Sequence, residues 1–162
     1  HYAKHYSTGQ KLPKETIETV KQMGLFNVGI KTMRQLYFAY LDLQLHSDMK
    51  FKTPDQMAKF AFDLRAKYLP VAPMPYFATL SSFAHIADGY ASGYYTYKWS
   101  EAIQADLFTR FEQDGVLNEK TGMDYRTMVL ARGDEVDPDV LIKDFLGRPA
   151  TPDAMLRRDG VL

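Results

Sequence analysis

The chain contains no cysteine. Disulfides and thiolate metal sites are therefore excluded. It also lacks net charge: 20 Lys and Arg balance 20 Asp and Glu. With no basic stripe, neither nucleic-acid binding nor attraction to a membrane surface is expected. No apolar run approaches the roughly 20 residues of a membrane-spanning helix. The polar start, His1-Tyr-Ala-Lys-His5, carries no secretory signal. A cytoplasmic setting is the expectation.

What is present suits one soluble globular unit. The 162 residues are 46% hydrophobic and 25% charged, enough for a core of their own. No repeat, low-complexity tract or linker divides them, so residues 1–162 read as a single all-α unit. The opening has no Met and reads as a helix end over residues 1–6, as if cut from a longer polypeptide.

Helix signals recur along the chain. Pro13 opens an amphipathic helix and Gly24 is expected past its end. Residues 28–46 are apolar around nearly the whole circumference, which predicts a central helix buried on most sides. Thr53-Pro-Asp-Gln56 is a capping box with Pro at the first helical position. It precedes Met57, Phe60, Ala61, Leu64 and Tyr68 at helical spacing. Pro70, Pro73 and Pro75 then make residues 69–76 extended or irregular, and no clean period follows until a long helix resumes at Ala91. Gly115, Gly122, Gly133 and Gly147 punctuate the rest, and Asp137-Pro-Asp139 and Thr151-Pro-Asp153 read as repeated N-caps.

Most polar residues have ordinary readings. His1 and His5 stand at i and i+4, but Tyr2 occupies the place where a helical zinc pair of the zincin type carries its Glu. His46 is placed to cap a helix C-terminus. Glu15, Glu18, Asp42, Glu101, Asp106 and Glu112 are scattered and read as solvated faces.

The stretch His85-Ile-Ala-Asp-Gly-Tyr-Ala-Ser-Gly-Tyr-Tyr-Thr-Tyr97 is different. Tyr90, Tyr94, Tyr95 and Tyr97 carry four hydroxyls, and each needs water or a hydrogen-bond partner. Phenol has a pKa of about 10, so these side chains are neutral donors at pH 7. Such donors suit an oxyanion that exists only in a transition state. Gly89 and Gly93 let the backbone bend or approach a ligand. The competing reading takes Tyr90, Tyr94 and Tyr97, at i, i+4 and i+7, as an aromatic core stripe.

Ser82-Phe-Ala-His85, Gly89-Tyr90 and Gly93-Tyr-Tyr-x-Tyr97-x-Trp99-Ser-Glu101 resemble the signature near the C-terminus of the thimet oligopeptidase family of zinc metallopeptidases. The segments His5-Tyr-x-Thr-Gly9, Met33-Arg-Gln35, Gly115-Val-Leu-Asn118, Thr121-Gly-Met-Asp-Tyr-Arg126, Phe145-Leu-Gly-Arg148 and Asp153-Ala-x-Leu156 are similar to family segments in the same order. The resemblance implies the C-terminal helical portion of a zincin catalytic domain, with an irregular loop region around 69–90. The full-length parent would cleave short peptides with zinc-activated water. Its zinc ligands, in H-E-x-x-H and a following Glu, would lie N-terminal to His1, so this segment alone is expected to bind no zinc and to be inactive.

By the same resemblance Tyr97 donates to the oxyanion, Tyr90 approaches the scissile carbonyl or substrate backbone, and His85 hydrogen-bonds substrate or intermediate. Tyr94 contacts substrate, and Gly89 belongs to the substrate-binding loop. Asp88 stands where the family usually has Gly, which puts loop mobility and substrate charge preference in question. The implied partners are short peptides and the N-terminal remainder of the same polypeptide. Without that remainder an uncovered apolar face should favour self-association. The alternative from another class is a non-catalytic helical scaffold or binding domain, such as an inactive paralogue.

Overall fold

The computed structural model describes residues 3–48, 50–71, 74 and 78–162. Among them the architecture is all-α: α1 (Lys14–Leu25), α2 (Val28–Leu45), α3 (Pro54–Tyr68), the single turn α4 (Thr79–Ser82), α5 (Thr96–Asp114), α6 (Glu119–Tyr125), α7 (Pro138–Leu146) and α8 (Asp153–Arg158). A 3-10 turn covers Ala84–Ile86, and a π-helical turn, Arg126–Leu130, continues α6. Among the described residues no helix is long and apolar enough to cross a membrane.

Two apolar cores form. In the first, Tyr37 and Leu41 of α2 meet Ala61 and Leu64 of α3 and Phe83 of the irregular segment. The Tyr37 hydroxyl donates to the Ala61 carbonyl at 3.1 Å, so the largest ring in this core keeps its polar end satisfied. In the second, Leu107 of α5 packs on Ile142 and Phe145 of α7, with Ile103, Phe111 and Tyr125 at its edge. The long helix α5 therefore begins beside one core and ends in the other.

Local chemistry explains most boundaries. The Thr53 hydroxyl accepts from Gln56 N–H, and the Gln56 side chain reaches back to Lys52 N–H at 2.7 Å, one residue before the expected partner. Asp137 accepts from Asp139 N–H and starts α7 at Pro138. Gly115 (φ 101°) and Gly147 (φ 71°) end α5 and α7 in conformations that L-residues with side chains resist.

Five expectations are corrected. Residues 4–11 form a loop closed by an antiparallel bridge between Lys4 and Lys11, not a helix end. Its turn is held by Gly9 N–H on the His5 carbonyl and by His5 N–H on the Gln10 carbonyl. Gly24 and Gly122 lie inside α1 and α6, because neither takes the positive φ that stops a helix. The long helix begins at Thr96, not Ala91, because Ser92 at φ 57° cannot continue an α-helix. Thr151 does not cap α8; its N–H is committed to Asp106. Finally, α2 is only partly covered: Tyr37, Ala39, Leu41 and Asp42 are buried, whereas Ile30, Met33, Leu36, Tyr40 and Leu43 are exposed. Nor is any residue of α1 buried. The all-round apolar pattern of α2 thus exceeds what the described residues can cover. The expectations on His1, Pro73 and Pro75 lie outside the described residues.

Candidate functional site

Three of the four tyrosines in the stretch, Tyr90, Tyr94 and Tyr97, converge on the His85 imidazole. His85 sits in the 3-10 turn that follows Phe83 of the first core. Its ring centroid lies 5.0 Å from that of Tyr94, 5.9 Å from Tyr97 and 6.0 Å from Tyr90. Tyr94 and Tyr97 meet the imidazole edge-on, and each other likewise at 5.0 Å. Their edge-to-face geometry is the favourable one for ring quadrupoles. His85 Nε2 stands 3.2 Å from the Tyr97 hydroxyl.

The core-stripe reading fails here. Tyr94 does pack into the first core, against Phe38 and Phe83. Tyr97 and Tyr90, however, are 54% and 65% exposed. One tyrosine of the three anchors the cluster and two present their rings outward. Burial pushes the Tyr94 phenol up from its ordinary value, against the lowering influence of Arg34 and Gln35, so it stays a neutral donor at pH 7. Gly89 takes φ 92°, open to solvent, so its role in the turn is conformational.

His85, Tyr94 and Tyr97 line one side of an open cleft of about 580 Å³, and Gln35, Lys98, Glu101 and Gln104 line the other parts. Glu101 ties the cleft to the fold: it pairs with Lys98 at 2.8 Å and with Arg158 of α8 at 2.6 Å. Burial raises its pKa, but these two cations outweigh burial and hold it below the ordinary glutamate value. The cleft therefore offers neutral phenols and an imidazole on one wall and a neutralised charge cluster on another. Among the described residues no group of three or more His, Cys, Asp or Glu side chains gathers that could hold a metal ion.

Two residues were misread in the sequence. Asp42 and Asp106 are not solvated; both are fully buried. Asp42 accepts from the backbone N–H groups of Ser92 (3.0 Å) and Tyr94 (2.9 Å). His46 does cap the end of α2, its Nδ1 lying 2.9 Å from the Asp42 carbonyl, but it also lies 3.0 Å from the Asp42 carboxylate. The backbone carbonyl can only accept, so Nδ1 is assigned as the donor in that contact. Asp106 receives a two-pronged contact from Arg148 (2.6 and 2.8 Å) and the N–H of Thr151 (2.8 Å). Arg148 lowers the Asp106 pKa, and it prevails over the burial that opposes it. The readable signal was each aspartate's setting: Asp42 lies between Leu41 and Leu43 at the end of the apolar run 36–43, four residues before His46, and Asp106 lies between Ala105 and Leu107. A charge in such a place needs a partner from elsewhere in the fold.

Known proteins are similar to this chain over nearly its whole length. Oligopeptidase A of Escherichia coli (strain K12) is 38% identical over 161 residues, which are 97% of this chain and 23% of that protein. An organellar oligopeptidase A of Arabidopsis thaliana, described as chloroplastic/mitochondrial, is also 38% identical, over 99% of this chain and 21% of its own length. A dipeptidyl carboxypeptidase of Salmonella typhimurium is 32% identical over 99% of this chain and 24% of its own length. The chain thus spans less than a quarter of the curated relatives it matches. The sequence model of peptidase family M3 matches residues 1–161, nearly the whole of the chain, and the chain belongs to that family.

Proposed function

We propose that these 162 residues are the C-terminal helical part of the catalytic domain of an oligopeptidase, supplying one wall of its substrate channel. The full-length protein would hydrolyse peptide bonds in short peptides. The carrying observation is the gathering of Tyr90, Tyr94 and Tyr97 around His85 beside an open cleft. The family and the names of the relatives support the reaction class.

The side chains divide the work by exposure. Tyr97 is the donor to the oxyanion of the tetrahedral intermediate, because it is exposed and lines the cleft. His85 sets which way the Tyr97 hydroxyl points. When Nε2–H donates to the Tyr97 oxygen, the phenolic proton is free for substrate; the opposite tautomer consumes it. Tyr94, held in the core, presents a fixed donor to bound substrate. Tyr90, beyond the Gly89 turn, reaches the substrate backbone from the loop. Zinc belongs to the family's chemistry, but the described side chains form no ligand set for it, so its ligands are assigned to the rest of the polypeptide. That same remainder is the proposed cover for the apolar faces of α1 and α2.

Internally quenched peptides of about ten residues, offered to the full-length protein beside a folded protein substrate, test this reading. Cleavage of the peptides alone is expected. A folded full-length protein that cleaves no short peptide would leave the non-catalytic scaffold instead.

A further inference from the structure

Asp42 is a buried charge that the proposed reaction does not use. Among the described residues no Lys or Arg pairs with it; His46, with its side chain 28% exposed, is the titratable group within ion-pair distance. Its two carboxylate oxygens are taken instead by backbone N–H groups 50 and 52 residues further along the chain. A buried carboxylate satisfied in this way fixes whatever carries those donors.

The donors belong to a turn built for them. Gly93 N–H closes it on the Tyr90 carbonyl at 2.9 Å. A Cβ on Gly93 would meet that carbonyl oxygen at 3.0 Å, so the close approach favours glycine. Ser92 takes φ 57°, a conformation that disfavours a non-glycine residue by about 1–2 kcal/mol. With Ser92 bent this way, the N–H groups on either side of Gly93 converge on one carboxylate. The left-handed serine is held where the Asp42 contacts require it.

Asp42 itself is anchored on α2, one residue from Leu41 of the first core. From the clamp the chain runs straight into α5: Thr96 N–H donates to Gly93 and Tyr97 N–H to Tyr94. On the other side the chain is held less. Among the described residues the N–H groups of Asp88, Gly89 and Ala91 have no backbone acceptor, and a turn spans residues 87–89. The carboxylate thus marks the border between a segment pinned to α2, which carries Tyr94 and Tyr97, and a less tethered tip that reaches the clamp through the Tyr90 carbonyl.

We propose that Asp42 is a positioning residue: by clamping the N–H groups of Ser92 and Tyr94 it fixes where the Tyr97 hydroxyl meets the reacting carbonyl, and leaves the Gly89–Tyr90 tip free to move. This rests on the oxyanion role proposed above for Tyr97. The Asp42→Asn variant of the full-length protein tests it. The amide keeps the shape but offers one acceptor oxygen and turns an N–H₂ toward the other donor. On a quenched peptide kcat falls about 10- to 100-fold while KM stays within about threefold, the mark of an interaction made in the transition state. In an Asp42→Asn/Tyr97→Phe double variant the first substitution has almost no further effect, because the group it positions is gone. Hydrogen exchange speeds up at least tenfold in residues 92–97 and is unchanged in α7.

A loss that multiplies with that of Tyr97→Phe, or unchanged exchange in residues 92–97, overturns the proposal. If Asp42→Asn does not fold, Asp42→Glu, which keeps the charge and moves it by one methylene, goes through the same cycle with the same outcomes. If the unsubstituted full-length protein cleaves no peptide, the peptidase reading falls by itself. The exchange measurement then decides whether Asp42 pins the loop.

Discussion

The two buried aspartates solve one problem in two ways. Asp106, beside the second core, is neutralised by a guanidinium and capped by one N–H. Asp42, beside the first, is held by two N–H groups of a loop and by His46. The first arrangement joins α5 to the segment before α8, and its charge is balanced on the spot. It is a fastening. The second leaves its net charge with backbone dipoles and spends both oxygens on a turn strained at Ser92. Strain of this kind persists where the surroundings over-determine it, and such places cluster at functional sites. The half of the molecule with the tyrosines carries the carboxylate that holds a strained turn; in the other half the carboxylate holds a guanidinium.

The comparison breaks most sharply on Tyr97. In the full-length enzyme Tyr97→Phe should lower kcat about 10²- to 10³-fold with KM nearly unchanged, as expected for losing one oxyanion donor. Stability should move little, because the ring stays and Tyr97 is 54% exposed, so water can replace the lost contact with His85 Nε2. Steady-state kinetics on a quenched peptide with a parallel thermal melt reads both. Near-normal kcat would remove Tyr97 from the chemistry.

Arg148→Met should behave in the opposite manner. It strands the Asp106 carboxylate with Thr151 N–H and little else. Breaking a wholly buried pair costs about 3–5 kcal/mol. Arg148 is 43% exposed, so water replaces part of the contact, and a loss of about 2 kcal/mol is expected. Denaturant unfolding of the full-length variant measures it, and kcat of the folded fraction should stay within about twofold. A kinetic defect as large as that of Tyr97→Phe would mean that the two halves are coupled.

The same pair predicts a pH dependence. Arg148 depresses the folded-state pKa of Asp106 below the unfolded value of about 3.9. The stability this contributes is fully present above the unfolded value and is lost as pH falls through the folded one. The stability gap between the parent and Arg148→Met should therefore be constant above about pH 5 and shrink below about pH 4. A gap that persists unchanged to pH 2 would assign it to packing of the guanidinium stem instead of charge.

What could be read beforehand follows the range of the physics. The caps at Thr53 and Asp137, the glycine stops at Gly115 and Gly147, and the helical class depend on residues a few positions apart. The convergence on His85 was visible in part, as spacing, because Tyr94 and Tyr97 lie on adjacent turns. The distant partners of the two aspartates were not visible, since they lie 42 to 52 residues away. The start of α5 failed for the same reason: Ser92 adopts its left-handed φ in company with a carboxylate on α2. Cover for α2 was misjudged because apolar periodicity reports that a face will be buried and says nothing about which segment covers it.

The smallest effect, at Gly89, asks how free the unclamped tip really is. Gly89 takes φ 92°, where an L-residue is strained whatever the space, and a Cβ there touches nothing within 4 Å. Gly89→Ala therefore acts through the backbone alone and should be unfavourable by about 1 kcal/mol in this conformation. The loop has an escape, because the N–H groups of Asp88, Gly89 and Ala91 have no backbone acceptor within the described residues. It can relax to a negative φ and carry Tyr90 to a new position while Ser92 stays clamped by Asp42. Global stability should then change by well under 1 kcal/mol, whereas kcat/KM on a short peptide should fall about fivefold, the equivalent of about 1 kcal/mol of binding. Hydrogen exchange in residues 92–97 should not change. If it rose together with that of the tip, the border drawn at the Asp42 carboxylate would be in the wrong place, and the whole stretch from Asp88 to Tyr97 would move as one piece.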